Sequence, residues 1–331
     1  MKRVDVYGVG NSLVDTLAFV ESDFIREHDL TPGSMALVDS EKQARILRAL
    51  SKHSLELRSG GSAANTMIAV SRSGGSAFYT GKVSRDTNGE FYRQDLLAAG
   101  IHFDVHPSNE SDGTTGTCVV LTTPDAERTM LTHLGVSVQL TAADIDEDKI
   151  KQSRIIYIEG YLWAGEGTRA ASIRAAELGK KNGVPVSFTF SDSFLLQPFR
   201  DDFRHFVTDY CDVVFCNAPE VKSFSEMTDL DEAVRFVGRL TSKAFVTDGE
   251  KGAIVVDGGS IVRVPGFSVT AIDTNGAGDS FAGGTLFGLT HEQTAVKSAR
   301  WGNYLASEIV QIQGARLNKN YAGDVARVLA D

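Results

Sequence analysis

The sequence predicts an α/β fold: three layers, α/β/α, around a mostly parallel sheet, with a small second sheet set against it as a lid. Three observations carry this. Short apolar runs at 155–158, 184–188, 213–215 and 244–247 alternate with helical spacing at about 168–182, 199–210 and 230–240, the rhythm of a parallel sheet covered on both faces. Between 101 and 134 that rhythm stops. Alternating runs at 103–106, 117–121 and 128–131 are separated by polar turns with no helix between them, which reads as an antiparallel meander. Finally, extended residues 261–272 run into Asp273-Thr274-Asn275-Gly276-Ala277-Gly278-Asp279-Ser280-Phe281, a small-residue turn that opens a helix.

In chain order, residues 4–9 form a first strand ending at Gly10-Asn11, and 12–20 stay strand-like around Asp15. A short helical piece at 22–28 leads through Pro32-Gly33 to a strand at 35–38. Residues 40–51 have helical spacing (Ala44, Leu47, Leu50), with Asp39 or Ser40 as cap. A strand at 55–58 feeds Ser59-Gly60-Gly61-Ser62-Ala63-Ala64-Asn65, which opens a helix stopped by Gly74-Gly75. A strand at 77–83 and a helix at 88–99 ending on Gly100 follow. Beyond 247, Asp257-Gly258-Gly259 marks a hairpin between 253–256 and 260–264, and helices follow at 293–311 and 320–329.

The formal net charge of −10 over 331 residues argues against a nucleic-acid partner held by phosphate neutralisation. Hydrophobic content of 42% and charged content of 23% are those of an ordinary soluble chain, and no run approaches the apolar length of a membrane span. The first residues lack the apolar core of a signal peptide. Cys118, Cys211 and Cys216, an odd set without metal-ligand spacing, fit buried free thiols in a reducing cytoplasm.

The 276–278 turn lets successive amides approach an anion where the helix dipole adds to them, with Asp279 in the next position. A carboxylate beside an anion hole suits a hydroxyl that must lose a proton as a phosphoryl group arrives. The bland alternative is a helix-start charge that does no chemistry. A lysine phosphate loop is absent: Lys82 and Lys180 each follow a glycine, but Val83 and Lys181 come next. Gly165-Glu166-Gly167-Thr168-Arg169-Ala170 loosely resembles a dinucleotide fingerprint, yet lies too far from its strand for the required tight turn. Polar groups gather at other strand ends: Asn11 and Asp15; Gly60, Gly61 and Asn65; Asn217 and Glu220. Each alone reads as a cap or turn residue, while together they suit polyol hydroxyls and hydrated Mg²⁺.

These motifs, in this order, resemble the PfkB carbohydrate kinases of the ribokinase-like superfamily, and within them the adenosine-kinase-like group. The 273–281 stretch matches the C-terminal signature. It is backed by Gly8-Val9-Gly10-Asn11 with Asp15, the Gly60-Gly61 loop, Asn217-Ala218-Pro219-Glu220, and Val246-Thr247-Asp248-Gly249-Glu250-Lys251-Gly252. The resemblance implies one domain over 1–331, with lid strands from about 12–40 and 101–134. It implies transfer of the γ-phosphoryl of ATP to a primary hydroxyl, with Asp279 as general base and the Gly276, Ala277 and Gly278 amides as anion hole. Arg128 would reach the phosphates from the lid. Asn11, Leu13, Asp15, Gly60, Gly61, Asn65, Tyr161 and Leu162 would bind the acceptor. Asn217, Thr247, Gly249, Gly252 and Asn303 would line the ATP site. Asn217 and Glu220 would organise Mg²⁺, and Asp273 would hold a monovalent cation such as K⁺ where a member uses one. Adenosine-kinase-like members carry an Asn where this chain reads Ser187-Phe188-Thr189-Phe190-Ser191. The expected acceptor is a nucleoside, adenosine first, and the alternative is a free sugar or sugar acid such as fructose or 2-keto-3-deoxygluconate. Rival classes are an NAD-dependent dehydrogenase and a non-catalytic sugar- or nucleotide-binding protein, and the chain is expected as a monomer or homodimer.

Overall fold

The computed structural model describes residues 4–125 and 127–330. Fourteen strands fall into two sheets: β1 Val4–Val9, β2 Leu13–Phe19, β3 Met35–Leu37, β4 Glu56–Gly60, β5 Ala77–Thr80, β6 Ile101–His102, β7 Gly116–Thr122, β8 Arg128–His133, β9 Ser153–Glu159, β10 Val186–Thr189, β11 Val213–Asn217, β12 Lys243–Thr247, β13 Ala253–Asp257 and β14 Ser260–Val264. The larger sheet runs β14-β13-β12-β11-β10-β9-β1-β5-β6. It is parallel from β12 to β6, with the hairpin β13–β14 added antiparallel at one edge.

Successive side chains of these strands enter opposite cores, as a pleated strand covered on both faces requires. Tyr7, Ile156, Phe188 and Val214 pack with the helices Glu166–Asn182 and Ser193–Tyr210. Val6, Ile155, Tyr157 and Phe215 pack on the other side, with the helices Ser62–Arg72 and Ala277–Thr290. Because β1, β9, β10, β11 and β12 are parallel, Asn11, Glu159, Thr189, Asn217 and Thr247 emerge along one edge of the sheet, the edge where open α/β sheets bind ligands.

The small sheet runs β3-β8-β7-β2-β4, and here the sequence reading needs correction. Only β7–β8 and β2–β4 are antiparallel; β2–β7 and β3–β8 are parallel, so this is not a simple meander. The 12–40 and 101–134 boundaries also shift. Strand β4 joins the lid, while Ile101–His102 pairs with β5 as the edge of the large sheet and 103–106 form no strand. Pairing over such separations leaves no local signal to read. The outer face of the small sheet (Ala18, Val119, Leu121, Leu131) is covered by Ile25, Ile46 and Leu50, the first two from the helices Ser22–Glu27 and Ser40–Ala49. Its other face carries Leu13, Asp15, Cys118, Val120, Met130 and Thr132, and closes over the large sheet's ligand edge. Among the described residues, no helix is long and apolar enough to cross a membrane.

Candidate active site

Between the two sheets lies a cavity of about 500 Å³. At its centre is the start of the Ala277–Thr290 helix. Gly276, the N-cap, has φ of 72°, and a β-carbon there would overlap the Ala315 carbonyl, so both the conformation and the close approach require glycine. Gly278 differs: it is exposed on the cavity, and a β-carbon built on it meets nothing within 4 Å. It stands in the first turn of a helix, where N–H groups have no intrahelical partner, beside space that could take a phosphate. Of the three amides expected to form the hole, Ala277 N–H is turned back on the Thr274 carbonyl at 3.3 Å, so it is partly committed to the turn itself.

Asp279 lies one residue on. Ser62 Oγ donates to its Oδ1 at 2.6 Å and Asn65 Nδ2 donates to its Oδ2 at 3.2 Å. The residue is half-buried, opening only on the cavity. Removal from bulk water pushes its carboxyl up to about 6, against the pull of those two hydrogen bonds. Such a group is ionised near neutrality and still basic enough to accept a proton. The Oδ1 of Asn65 is buried without a protein partner, so an acceptor on the cavity wall is left for a ligand hydroxyl.

Of the residues expected at the acceptor, Asn11, Leu13, Asp15, Gly61, Asn65 and Tyr161 line the cavity. Gly60 does not. A β-carbon at Gly60 would overlap the Asp15 carboxylate, so this glycine makes room for a site residue. Leu162 is a second correction: it is fully buried in the core, while its neighbour Tyr161 faces the cavity and donates to the Ser191 carbonyl at 3.3 Å. Removal from water also pushes Asp15 up, to about 7, with the nearby Asp279 charge adding to the effect.

At the nucleotide end, Asn217, Glu220, Thr247 and Gly249 line the cavity, whereas Gly252 and Asn303 lie outside it. Gly252, at φ of 93°, sits against the Val264 carbonyl, and Asn303 Nδ2 donates to the carbonyls of Val264 and Pro265 at 3.0 and 3.1 Å. Both brace the hairpin beside the site. Asn217 and Glu220 form a reciprocal capping box on the helix Ala218–Ser225: Asn217 Oδ1 accepts from Glu220 N at 2.8 Å, and Glu220 Oε2 accepts from Asn217 N at 3.0 Å. Burial pushes the Glu220 carboxyl up to about 7. A buried carboxylate facing a cavity without a cationic side chain in its wall is the donor chemistry of a hydrated Mg²⁺, so these two residues fit that ion.

Asp273 does not fit a monovalent cation. Its Oδ1 accepts from Asn275 N at 2.7 Å and meets Arg128 Nη1 at 2.8 Å, and its Oδ2 accepts from Gly314 N at 2.8 Å. A potassium ion there would sit against a guanidinium. Arg128 accordingly does not line the cavity; its Nη2 donates to Thr274 Oγ1 at 3.0 Å.

Sequence reading missed Glu159, at the end of β9 and fully buried. Its Oε1 accepts from Asn11 N and Nδ2 at 2.7 and 2.8 Å, and its Oε2 accepts from Ala63 N at 2.8 Å. The N-cap of the Ser62–Arg72 helix is Gly61, which has no side chain, so Glu159 caps that helix from another strand. It thereby anchors the turn that presents Ser62 and Asn65 to Asp279. Burial pushes its carboxyl up to about 7. Ser62 itself was also missed, as was Phe194, whose ring lies 6.2 Å from that of Tyr161 on the cavity wall.

The wall carries four carboxylates, Asp15, Glu159, Glu220 and Asp279, and among its described residues no Lys, Arg or His. A polyanion can bind there only through amides, a helix dipole and a metal counter-charge. That combination, on an α/β sheet with a lid, defines a phosphotransferase acting on an alcohol group.

The chain belongs to the pfkB family of carbohydrate kinases, whose model matches residues 38–320. Its fold is ribokinase-like. It is similar to the crystal structure of adenosine kinase from Sinorhizobium meliloti (33% identity, TM-score 0.91, 98% of this chain and 99% of that one). It is similar also to a structure from Rhizobium etli described as a "probable sugar kinase" (31% identity, TM-score 0.92, 99% of each chain). A further relative is adenosine kinase of Saccharomyces cerevisiae, 29% identical over 92% of this chain and 94% of its own length.

Proposed function

We propose that the chain transfers the γ-phosphoryl group of Mg²⁺-ATP to the primary hydroxyl of a nucleoside, adenosine first. The observation that carries this reading is the Asp279 carboxylate set beside Gly278, at a helix N-terminus with open space at its β-carbon position, in a cavity whose charged side chains are all carboxylates. The acceptor hydroxyl gives its proton to Asp279, held by Ser62 and Asn65, while the amides of the 276–278 turn take the charge that develops on the phosphoryl oxygens. Magnesium, when bound, neutralises the triphosphate next to Asn217 and Glu220. Thr247 and Gly249 flank the nucleotide, and Asp15, Gly61 and Asn65 orient the acceptor's hydroxyls. No step is assigned to potassium.

Two features favour a neutral, flat acceptor. A sugar acid would bring its carboxylate against Asp15 and Glu159 with no cation in the wall. The acceptor end is bounded by Met35, Leu37, Met130, Leu134, Tyr161 and Phe194, an apolar slot that suits a nucleobase and offers a free hexose little. A sugar kinase is the second reading, kept for the likeness to the Rhizobium etli protein. Every group named comes from one chain, so the chemistry requires no second copy. Three free cysteines are in keeping with a cytoplasmic enzyme.

The test is ADP release with Mg²⁺ across nucleosides, hexoses and sugar acids. Adenosine is expected to give the highest kcat/KM. Faster turnover of fructose or 2-keto-3-deoxygluconate would transfer the assignment to the sugar class, and no ADP release with any acceptor would remove the kinase reading altogether.

A further inference from the structure

We infer that Ser191 is a positioning residue for the acceptor: it fastens Tyr161 at both ends and so fixes the aromatic wall on which a flat base would lie. This role rests on the nucleoside reading above. Ser191 lines the cavity just beyond β10. With φ of 68° it is one of four non-glycine residues, among those described, that hold a left-handed backbone, and it alone of the four lines the cavity. It is the centre of a three-residue turn in which Asp192 N donates to the Phe190 carbonyl at 2.8 Å, a rare and strained conformation for a residue with a β-carbon. Such strain persists only where the surroundings over-determine it.

Here the surroundings are the residues at the end of β9. Gly160 N donates to Ser191 Oγ at 2.8 Å, and Tyr161 Oη donates to the Ser191 carbonyl at 3.3 Å. The first contact holds the backbone entering Tyr161, and the second holds the far tip of its ring. Gly160 comes this near only as glycine, since a β-carbon there would overlap the Thr189 and Phe190 carbonyls. The same turn places a second ring. Asp192 caps the helix Ser193–Tyr210, its side chain accepting from Phe194 N at 3.1 Å, and Phe194 stands 6.2 Å from Tyr161 with the two rings inclined at 39°. Phe194 is 45% exposed although it lines the cavity, which is apolar surface left for a ligand to cover. A phenol tethered at both ends loses little freedom when a base settles on it. That difference belongs to acceptor affinity and not to the transfer step.

The test compares Ser191→Gly, Tyr161→Leu and the double variant by kcat and by KM for adenosine and for ATP. Glycine suits the left-handed turn, so Ser191→Gly removes the Oγ contact and loosens the turn without a steric penalty. KM for adenosine should rise about 10-fold, while kcat at saturating adenosine and KM for ATP move by less than about 2-fold. On the Tyr161→Leu background the same change should alter KM for adenosine by less than about 2-fold, because the ring that Ser191 positions is gone. An unmoved KM for adenosine in Ser191→Gly overturns the inference. So does a rise of equal size on both backgrounds, which would make Ser191 a direct acceptor contact, or a matching rise in KM for ATP, which would mark a general loosening. A wild type that prefers a free sugar to every nucleoside is the separate failure of the nucleoside reading. Should Tyr161→Leu not fold, Tyr161→Phe, which keeps the ring and loses its bond to the Ser191 carbonyl, replaces it, and the two changes should then raise KM by less than the product of their single effects.

Discussion

Gly276 and Gly278 sit two residues apart in one turn, and the structure gives them opposite reasons to be glycine. This allows the anion hole to be tested separately from the fold. At Gly278 the backbone is helical and a β-carbon meets nothing within 4 Å, so Gly278→Val costs no packing. On helix propensity it should change stability by only about 0.3 kcal/mol. The isopropyl group would instead occupy the space where a phosphate meets the amide. Losing one such donor typically costs about 10²-fold or more in rate, which is the fall expected in kcat/KM for ATP. At Gly276, with φ of 72°, an alanine suffers the left-handed conformation and the overlap with the Ala315 carbonyl. The conformation alone costs about 1–2 kcal/mol, so Gly276→Ala should lower Tm by about 3 °C or more. Thermal unfolding and a coupled ADP assay on both variants make the comparison. If Gly278→Val turned over ATP at the wild-type rate, the phosphate would not lie at this turn; a Tm loss as large as that of Gly276→Ala would show that the space at Gly278 is not open.

Asp279→Asn should reduce kcat by about 10²-fold or more with Tm little changed, and wild-type kcat/KM should fall on the acid side of about pH 6 as that carboxyl is protonated. Ser62→Ala removes a hydrogen bond that favours the charged form, so this limb should move to higher pH by about one unit; an unmoved limb would assign it to another group. Stability should vary with pH in the opposite sense to activity. Glu159 and Glu220 are held at about 7 in the fold, above their unfolded values, so between about pH 4.5 and 7 the native chain binds more protons than the unfolded one. Their stabilising contribution is complete below that window and is lost as pH rises through it, by about 2 kcal/mol each from pH 5.5 to 7.5. Tm of the ligand-free protein should therefore be higher at pH 5.5 than at 7.5, and Mg²⁺-ATP should narrow the gap; a higher Tm at 7.5 would refute it.

What could be read from the sequence was what is local. The 273–284 stretch announced itself because an anion hole needs small residues in succession, and its partner Asp279 is adjacent. The βα rhythm placed the large sheet for the same reason: each unit signals itself within about 30 residues. Glu159 gave no such signal. It follows a run of isoleucines as any strand-end residue might, and its meaning lies in Asn11 and Ala63, 148 and 96 positions away. The lid was half legible, since alternation marks strands but not their neighbours; β4 looked like a lead-in to the Gly60-Gly61 loop. The resemblance pointed to Arg128 as a site residue, but its partner, Asp273, is a contact only the fold supplies.

The contacts that build the site also span most of the chain. Ser62 meets Asp279 across 217 residues, Arg58 reaches the Gln313 carbonyl across 255, and Gly276 rests on Ala315. The floor under the 276–278 turn is thus supplied by residues that follow the turn in the chain. The acceptor-side residues Asn11, Asp15 and Asn65 come from the first part of the chain, whereas the turn and its floor come from residues 273–315. A fragment that ends before residue 315 lacks the carbonyl on which Gly276 is seated, and it should therefore fail to carry the reaction.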